Sequence, residues 1–216
     1  MKTNSFEQVD KEVDPSIGQI LEEYMSFNSK DEQTYNFINE GLPNNDVGHL
    51  GPHSIRVIKE ICEITNPKNI FEIGFNIGHS ASMWLFFSKA NLVSVDISTH
   101  PDTLKAADVL KKKYENRFDF INKDSKVVLG EMNEFELYPK HLEINNYDLI
   151  FVDGGHLYED VKNDIEVSLK FKPKWIVFDD WWPIFGPGVQ PAMKEFGLDK
   201  NVFKRWGNIA LVKVGK

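Results

Sequence analysis

The sequence predicts an α/β protein with a doubly wound, mostly parallel sheet of seven strands. Two observations lead to this fold class. From residue 69 onward, short apolar runs alternate with stretches of helical spacing, a pattern typical of parallel sheets. Two further strand patterns near the carboxyl terminus are separated only by Gly207 and Asn208, so they must pair antiparallel as a hairpin.

Three helical patterns precede the first strand, and we expect them to cap the sheet. The first spans about 14–25 and opens with Asp and Pro, an N-cap and first-turn pair. The second begins with the capping-box spacing of Ser29 and Glu32 and ends near Gly41. The third begins at Pro52, and its spacing predicts a buried face made of Ile55, Ile58, Ile61 and Cys62.

The alternating part of the chain, 67–216, is predicted to form an α/β domain to which the cap helices, 1–66, also belong. Strands are expected at 69–73, 91–96, 117–121, 148–153, 174–179, 201–206 and 209–214. Helices are expected between them at about 79–89, 101–115, 125–135 and 157–170. The last of these helices is expected to turn Asp160 and Asp164 toward solvent.

The bulk properties exclude several classes of protein. The 216 residues suffice for one α/β domain, and the formal charge of -8 argues against non-specific binding to nucleic acid or anionic membranes. The single cysteine, Cys62, excludes an internal disulfide and fits a reducing compartment. Neither a secretory signal nor a membrane-spanning run is recognisable, so we expect a cytoplasmic protein without nucleic-acid or membrane partners.

Three acidic residues follow two neighbouring strand patterns. Asp153 closes the apolar run before it, and Asp179 and Asp180 close the next one. If both runs are adjacent parallel strands, the three carboxylates emerge at the sheet edge where open α/β sheets bind ligands. Such a cluster favours a hard cation such as Mg²⁺, and His156 would stand beside it as a base. The alternatives are a helix-capping acidic pair and a solvated loop histidine.

A glycine-containing turn follows the first strand. Gly74 and Gly78 allow a tight turn and a close backbone approach to a ligand, but the Gly-x-Gly-x-x-Gly dinucleotide fingerprint is missing. Glu72 would repel a polyphosphate and would suit an amino group or a hydroxyl. An ordinary strand-to-helix turn remains the alternative interpretation.

Acidic residues also follow the second and third strands. Asp96 is about twenty residues beyond the glycine turn, which suits a bidentate grip on ribose hydroxyls, although a solvated strand-end carboxylate is equally ordinary. Asp124 is a candidate acceptor for an exocyclic adenine amine. Ser125 is a candidate cofactor ligand, and the capping of the next helix is its simpler role.

The motif 71–80, with Val95-Asp96 and Asp124-Ser125, resembles the class I S-adenosylmethionine-dependent methyltransferases over about residues 50 to 214. The resemblance implies a Rossmann-like sheet whose glycine turn passes the methionine part of the cofactor. It also implies that the strand-two acid holds the ribose and that the acid after strand three meets the adenine. The implied cofactor-binding residues are Glu72, Gly74, Gly78, Ser80, Asp96, Asp124 and Ser125.

The second half of the chain resembles the metal-dependent O-methyltransferases, and most closely the subgroup that methylates sugar hydroxyls. This resemblance rests on the segments 151–159 and 178–181. It implies Mg²⁺, or another divalent cation, on Asp153, Asp179 and Asp180. It also implies that His156 is the catalytic base. The long amino-terminal extension of some sugar methyltransferases is missing, which leaves the substrate and the oligomeric state open.

The predicted function is therefore metal-assisted methyl transfer from S-adenosylmethionine to a hydroxyl of a small molecule, either a sugar or a catechol-like compound. A divalent cation would lower the pKa of the hydroxyl, and a neutral histidine would take its proton. Two alternatives remain at this point: an NAD-type oxidoreductase on a Rossmann sheet, and a methyltransferase-like module that binds without catalysis. Homo-oligomerisation is left open.

Overall fold

The computed structural model describes residues 28–43, 50–132 and 147–215. Its sheet has the strand order β3-β2-β1-β4-β5-β7-β6. The strands are β1 (Asn69–Ile73), β2 (Asn91–Asp96), β3 (Phe118–Asn122), β4 (Leu149–Val152), β5 (Trp175–Phe178), β6 (Val202–Trp206) and β7 (Ile209–Lys213). Because β7 runs antiparallel to both of its neighbours, it is the one reversed strand of the sheet. The predicted fold class is confirmed.

Seven α-helices lie within the described residues. They are α1 (Ser29–Ile38), α2 (Ser54–Thr65), α3 (His79–Phe87), α4 (Thr103–Lys113), α5 (Ser125–Met132), α6 (Tyr158–Lys170) and α7 (Val189–Glu195). A 3-10 helix, Leu198–Asn201, leads into β6. The helix predicted over 14–25 lies outside the described residues. No described helix has the length and apolar composition that crossing a bilayer requires.

The start of α1 and the presence of α7 differ from the sequence prediction. Asn28 caps α1 by accepting from the backbone N–H groups of Lys30 and Asp31, and its own backbone N–H donates to the Asp31 carboxylate. The capping box is therefore shifted by one residue from the predicted pair. The short helix α7 was not predicted, because Pro191 breaks the helical pattern there. Its proline lies in the first turn, where the missing N–H has no helical partner in any case.

The two faces of the sheet carry separate cores, as a doubly wound fold requires. On one face, alternate strand residues pack with α1, α2, α3 and α4. On the other face, the intervening strand residues pack with α5, α6 and α7. Burial on both faces explains why β4 and β5 read as continuous apolar runs in the sequence.

Strand register determines where the functional residues emerge. Ile73 at the end of β1 pairs with Val95 of β2 and with Val152 of β4, and Val152 pairs with Phe178 of β5. The four parallel strands therefore end at one level. The residues that follow them, from Gly74 to Asp179, meet at a single edge of the sheet.

Candidate functional site

A cavity of about 510 Å³ opens at this carboxyl edge of the sheet. Its volume lies within the range of small-molecule sites. The loops after all five of the parallel strands β1 to β5 contribute to its walls. Nine of the predicted site residues line it: Gly74, Ser80, Asp96, Asp124, Ser125, Asp153, His156, Asp179 and Asp180. Glu72 and Gly78 are not among the described residues that line it.

Gly74 allows the loops after β1 and β4 to touch. Its φ angle is +92°, and a Cβ atom there would lie 1.9 Å from the carbonyl oxygen of Asp153. The backbone N–H of Asp153 donates to the carbonyl of Ile73 at 2.8 Å, which holds the two loops together. Since no side chain fits between them, this glycine fixes the position from which Asp153 enters the cavity.

Gly78 serves the start of α3. It has a φ of +81°, and a Cβ atom there would lie 2.7 Å from the ring of Phe75. Gly78 therefore allows its backbone to lie close to the core ring of Phe75, whereas we expected a close approach to a ligand. Ser80, two residues further on, lines the cavity and donates its hydroxyl to Glu72 at 2.7 Å.

Glu72 is fully buried beneath the glycine turn. Its carboxyl accepts hydrogen bonds from Ser80 at 2.7 Å and from Ser94 at 2.5 Å. Burial raises the pKa of the Glu72 carboxyl to about 8 despite these two bonds. Glu72 is therefore mostly protonated at neutral pH, and the repulsion of a polyphosphate that we expected from its charge is weak.

Replacing Glu72 with glutamine is expected to stabilise the protein increasingly as the pH rises. The native carboxyl keeps its proton up to about pH 8, whereas an ordinary glutamate releases it near 4.5. Because the native state binds more protons in this window, the free energy of unfolding of the wild type falls as the pH rises through it. The neutral amide removes that loss and keeps partners for both serines. Urea unfolding at several pH values measures the difference.

Glu60 provides a matched control with the opposite shift. Burial alone would raise the pKa of the Glu60 carboxyl, but hydrogen bonds from Lys204 and Trp206 hold that pKa below its ordinary value. Its stabilising contribution is therefore lost only in more acidic solution, and Glu60→Gln should show a constant deficit between about pH 5 and pH 8. A stability difference between wild type and Glu72→Gln that does not change with pH would mean that the native Glu72 is ionised.

Asp96 fixes the backbone of the glycine turn. Its Oδ2 accepts from the N–H groups of Phe75 at 2.8 Å and Asn76 at 2.9 Å, and its Oδ1 accepts from Ser98 at 2.6 Å. The two amide donors fill the acceptor capacity of Oδ2, which leaves Oδ1 able to accept one more bond. Asp96 therefore offers one oxygen to a ligand, where the sequence suggested a bidentate grip.

The two residues that we expected near the adenine of the cofactor, Asp124 and Ser125, have other hydrogen-bond partners in the structure. Asp124 caps α5 through a bond from Lys126 N–H at 2.9 Å, so the capping role that we assigned to Ser125 was wrong. The Ser125 hydroxyl donates instead to Asp164 at 2.6 Å.

We predicted that Asp164 would face solvent, and this was wrong. The residue is only 3% exposed and lines the cavity. The sequence did contain a signal for its burial. Positions 161, 164, 165 and 168 share the buried face of α6 at helical spacing. We expected a charged residue there to be solvated, whereas the packing of α5 on α6 encloses it.

His156 lies between two carboxylates beyond β4 and β5. Its Nδ1 is 2.9 Å from Asp180 Oδ2, and its Nε2 is 3.9 Å from Asp153 Oδ1. One ligand atom from each of Asp153, His156 and Asp180 lies within 4.8 Å of the others. Asp179, which the sequence also predicted as a metal ligand, is not part of this group; it is largely buried, and its Oδ1 has no hydrogen-bond partner among the described residues.

The charges of this cluster perturb one another strongly. Burial raises the pKa of Asp153 to about 6, and the neighbouring Asp180 adds to the effect. Burial and the charges of Asp153 and Asp180 hold the pKa of Asp179 well above its ordinary range. The neighbouring carboxylates of Asp153 and Asp180 raise the pKa of His156 to about 10. The cluster as it stands therefore favours a protonated histidine and lacks positive charge near Asp179.

Asn208 of the β6–β7 turn positions Asp180 and was missed by the sequence analysis. Asp180 has a φ of +51°, and its Oδ1 accepts from Asn208 Nδ2 at 2.5 Å. Asn208 Oδ1 accepts from Trp182 N–H at 2.9 Å, and its carbonyl accepts from Trp181 N–H at 2.8 Å. The sequence marks Asn208 only as a turn residue, since the contact depends on β7 lying beside β5.

If Asp180 holds the divalent cation that the sequence predicts, replacing Asn208 with alanine should weaken the binding of that cation about tenfold, because partners that orient a metal ligand typically contribute 10- to 100-fold. Calorimetric titration with Mn²⁺ measures the affinity. Asn201→Ala, at an exposed position just before β6, is the control and should bind the cation as wild type does. Equal affinity in the wild type and Asn208→Ala would contradict the positioning role.

Comparison with known proteins gives the family. Residues 71–181 match the family of methyltransferase domains, which is just over half of the chain. The chain therefore belongs to that family. Its fold is that of the class I S-adenosylmethionine-dependent methyltransferases, so the resemblance seen in the sequence is confirmed.

Three solved structures share this fold at low sequence identity. The SAH-bound methyltransferase PaMTH1 of Podospora anserina has a TM-score of 0.60 and 16% identity, with 100% of this chain and 99% of that chain covered. The O-methyltransferase of Bacillus cereus in complex with SAH has a TM-score of 0.56 and 17% identity, covering 92% and 97%. TomG of Streptomyces achromogenes, an O-methyltransferase in complex with SAM, has a TM-score of 0.56 and 13% identity, covering 93% and 96%.

A shorter match is found to a viral protein. Over 58 residues the chain is 38% identical to the uncharacterised protein R132 of Acanthamoeba polyphaga mimivirus. The match spans 26% of this chain and 26% of R132, about a quarter of each. Because R132 is uncharacterised and the match is short, it gives no information about activity.

Proposed function

We propose that this methyltransferase moves a methyl group from S-adenosylmethionine to a hydroxyl oxygen of a small molecule, with the help of a divalent cation. The cation, for which we propose Mg²⁺, would be held by Asp153, Asp179 and Asp180. The observation that carries the proposal is the cluster of acidic residues at the cavity wall, with a buried Asp179 oxygen that lacks a donor among the described residues.

The cavity suits S-adenosylmethionine in both size and polarity. Asp96 offers Oδ1 to a ribose hydroxyl, and the amides that it binds keep the glycine turn in place. Ser80 and Asp124 provide further polar groups to the wall of the cavity. O-methyltransferases of the same fold are described in complex with SAH or SAM. The bound cofactor would supply an electrophilic methyl group on a sulfonium.

The donor set suits a hard cation. Carboxylate oxygens are the ligands that Mg²⁺ prefers, and two or three of them leave positions for water or substrate. The raised pKa values of Asp153 and Asp179 mean that their charged forms lack compensation, which a cation would provide. A bound cation would lower the pKa of the acceptor hydroxyl and orient a neighbouring oxygen.

His156 is proposed as the base that holds the acceptor proton. The neighbouring carboxylates of Asp153 and Asp180 keep its pKa at about 10, which prevents it from accepting a proton at neutral pH. A cation held by those carboxylates would compete for the oxygens that His156 contacts and would lower the pKa of His156. A neutral imidazole at the cavity wall would then be able to take the proton.

The described cap helices are proposed to belong to the same domain as the sheet, and one set of contacts supports this. Tyr35 of α1 donates its hydroxyl to His79 Nδ1 at 2.6 Å. His79 Nε2 lies 3.1 Å from the carbonyl of Pro43 and therefore donates to it. His79 also lines the cavity, so the cap is attached directly to the wall of the proposed cofactor site.

Two measurements test the proposed function. S-adenosylhomocysteine should raise the melting temperature, whereas NAD should leave it unchanged. Transfer of a labelled methyl group should then be assayed on a panel of glycosides and catechols. We expect transfer to stop with a chelator and to return with added Mg²⁺. Stabilisation by NAD alone would favour an oxidoreductase, and transfer that persists after chelation would overturn the role of the cation.

A further inference from the structure

Resting on the proposed cofactor, we infer that Asp164 of α6 recognises the amino group of the adenine ring and so selects adenine over other purines. The sequence pointed to Asp124 for this contact. The geometry points to a residue forty positions later in the chain, on a different helix.

Asp164 is a buried carboxylate with unused acceptor capacity. Its Oδ1 accepts from the Ser125 hydroxyl at 2.6 Å and more weakly from Asn163 at 3.4 Å. Its Oδ2 has no hydrogen-bond donor among the described residues, although the side chain is only 3% exposed and lines the cavity. Because a ligand that fills the cavity displaces water from this oxygen, a ligand N–H at this place would be favoured over a group that cannot donate.

One glycine lies directly against this carboxylate, because a Cβ atom on Gly154 would be 2.8 Å from Asp164 Oδ2. A side chain larger than hydrogen at Gly154 would therefore cover the free oxygen. The loop after β4 therefore contributes both Asp153 and the small residue beside Asp164 to the cavity wall.

The surroundings match a purine ring. Ile97 directly follows the predicted ribose ligand Asp96, lines the cavity, and is 60% exposed despite its apolar side chain. An aliphatic surface next to a ribose contact suits the face of a base, and a carboxylate beyond it suits an amino group at the ring edge. Burial raises the pKa of Asp164 to about 6, so its charged, accepting form predominates at neutral pH.

Asp124 is the weaker candidate for discrimination. It is exposed, and its Oδ1 is engaged in capping α5. A ligand bond to an exposed carboxylate replaces a bond to water, so a missing donor costs little there. At the buried Asp164, a ligand that lacks the donor leaves the charged oxygen unpaired, and discrimination is correspondingly larger.

The test is calorimetric titration with S-adenosylhomocysteine and with its deaminated analogue, in which a carbonyl oxygen replaces the amino group. The wild type should prefer the amino compound by about tenfold or more, the value expected for a hydrogen bond to a charged group. Asp164→Asn keeps an acceptor for Ser125 and presents an amide N–H₂ to the cavity. It should bind S-adenosylhomocysteine about tenfold more weakly and lose or invert the preference.

Two matched variants separate this role from a general loss of negative charge. Asp124→Asn should weaken both ligands by the same factor and keep the preference. Asp160→Asn, one turn earlier on α6, should keep both affinities within about threefold, since that carboxylate faces Lys126 at 3.5 Å.

Three results would overturn the assignment: a wild type that does not distinguish the two ligands, a preference that survives in Asp164→Asn, or a preference that disappears in Asp124→Asn. The first and third do not depend on the folding of Asp164→Asn. A wild type that binds neither ligand would contradict the proposed function itself.

Discussion

Replacing Gly74 with alanine is expected to lower the free energy of unfolding by more than about 3 kcal/mol. A Cβ atom there would lie 1.9 Å from the carbonyl oxygen of Asp153, and the φ of +92° is unfavourable for any residue with a side chain. The colliding atom belongs to the backbone, so a change of rotamer cannot relieve the contact. Urea unfolding measures the loss.

Gly197→Ala is the matched control for this prediction. Gly197 also has a positive φ, +68°, but a Cβ atom there would have nothing within 4 Å. It should lose only about 1 kcal/mol, the cost of the backbone conformation alone. Equal losses in the two variants would mean that the contact between the loops after β1 and β4 does not constrain the fold.

Replacing Asp153 with asparagine is expected to reduce metal-dependent methyl transfer at least about a hundredfold, because it removes a charged ligand from the proposed cation site. The affinity for S-adenosylhomocysteine should stay within about threefold, since Asp96 and the glycine turn are unchanged. Steady-state assays at several Mg²⁺ concentrations, together with calorimetry, measure the two effects separately.

Asp148→Asn controls for the loss of an aspartate from the same strand region. Asp148 lies at the opposite, amino end of β4, where it accepts from the backbone of Lys68 and Asn69 and pairs with Lys174 at 3.0 Å. This variant should be less stable but equally active per folded molecule. An Asp153→Asn protein with wild-type transfer rates would contradict the proposed role of the carboxylate.

The strands were predictable because each one carries its own local signal. The predicted bounds of β1 and β2 match the structure, and those of the other five strands agree within one residue. Buried parallel strands read as continuous apolar runs, and the two-residue turn at 207–208 left only one way to pair the last two strands. The short helix α7 escaped because seven residues that include a proline give no usable periodicity.

The sequence predicted those site residues that directly follow a strand, but not the contacts that depend on which elements are neighbours. Parallel strands bring Asp96, Asp153 and Asp179 to one edge, and this follows from the alternation of elements alone. The contacts of Asn208 and Asp164 depend on which helices and strands are neighbours. Sequence spacing does not specify such neighbours, so the orienting partner of Asp180 and the buried acid of α6 emerged only from the structure.

The most direct test of the central claim is a crystal structure with S-adenosylhomocysteine and Mn²⁺, examined by anomalous diffraction. We expect one anomalous peak in contact with carboxylate oxygens of Asp153, Asp179 and Asp180, with an open coordination position toward the cofactor sulfur. A cofactor-bound structure without a peak at these residues, or with the peak elsewhere on the chain, would contradict metal-assisted methyl transfer at this site.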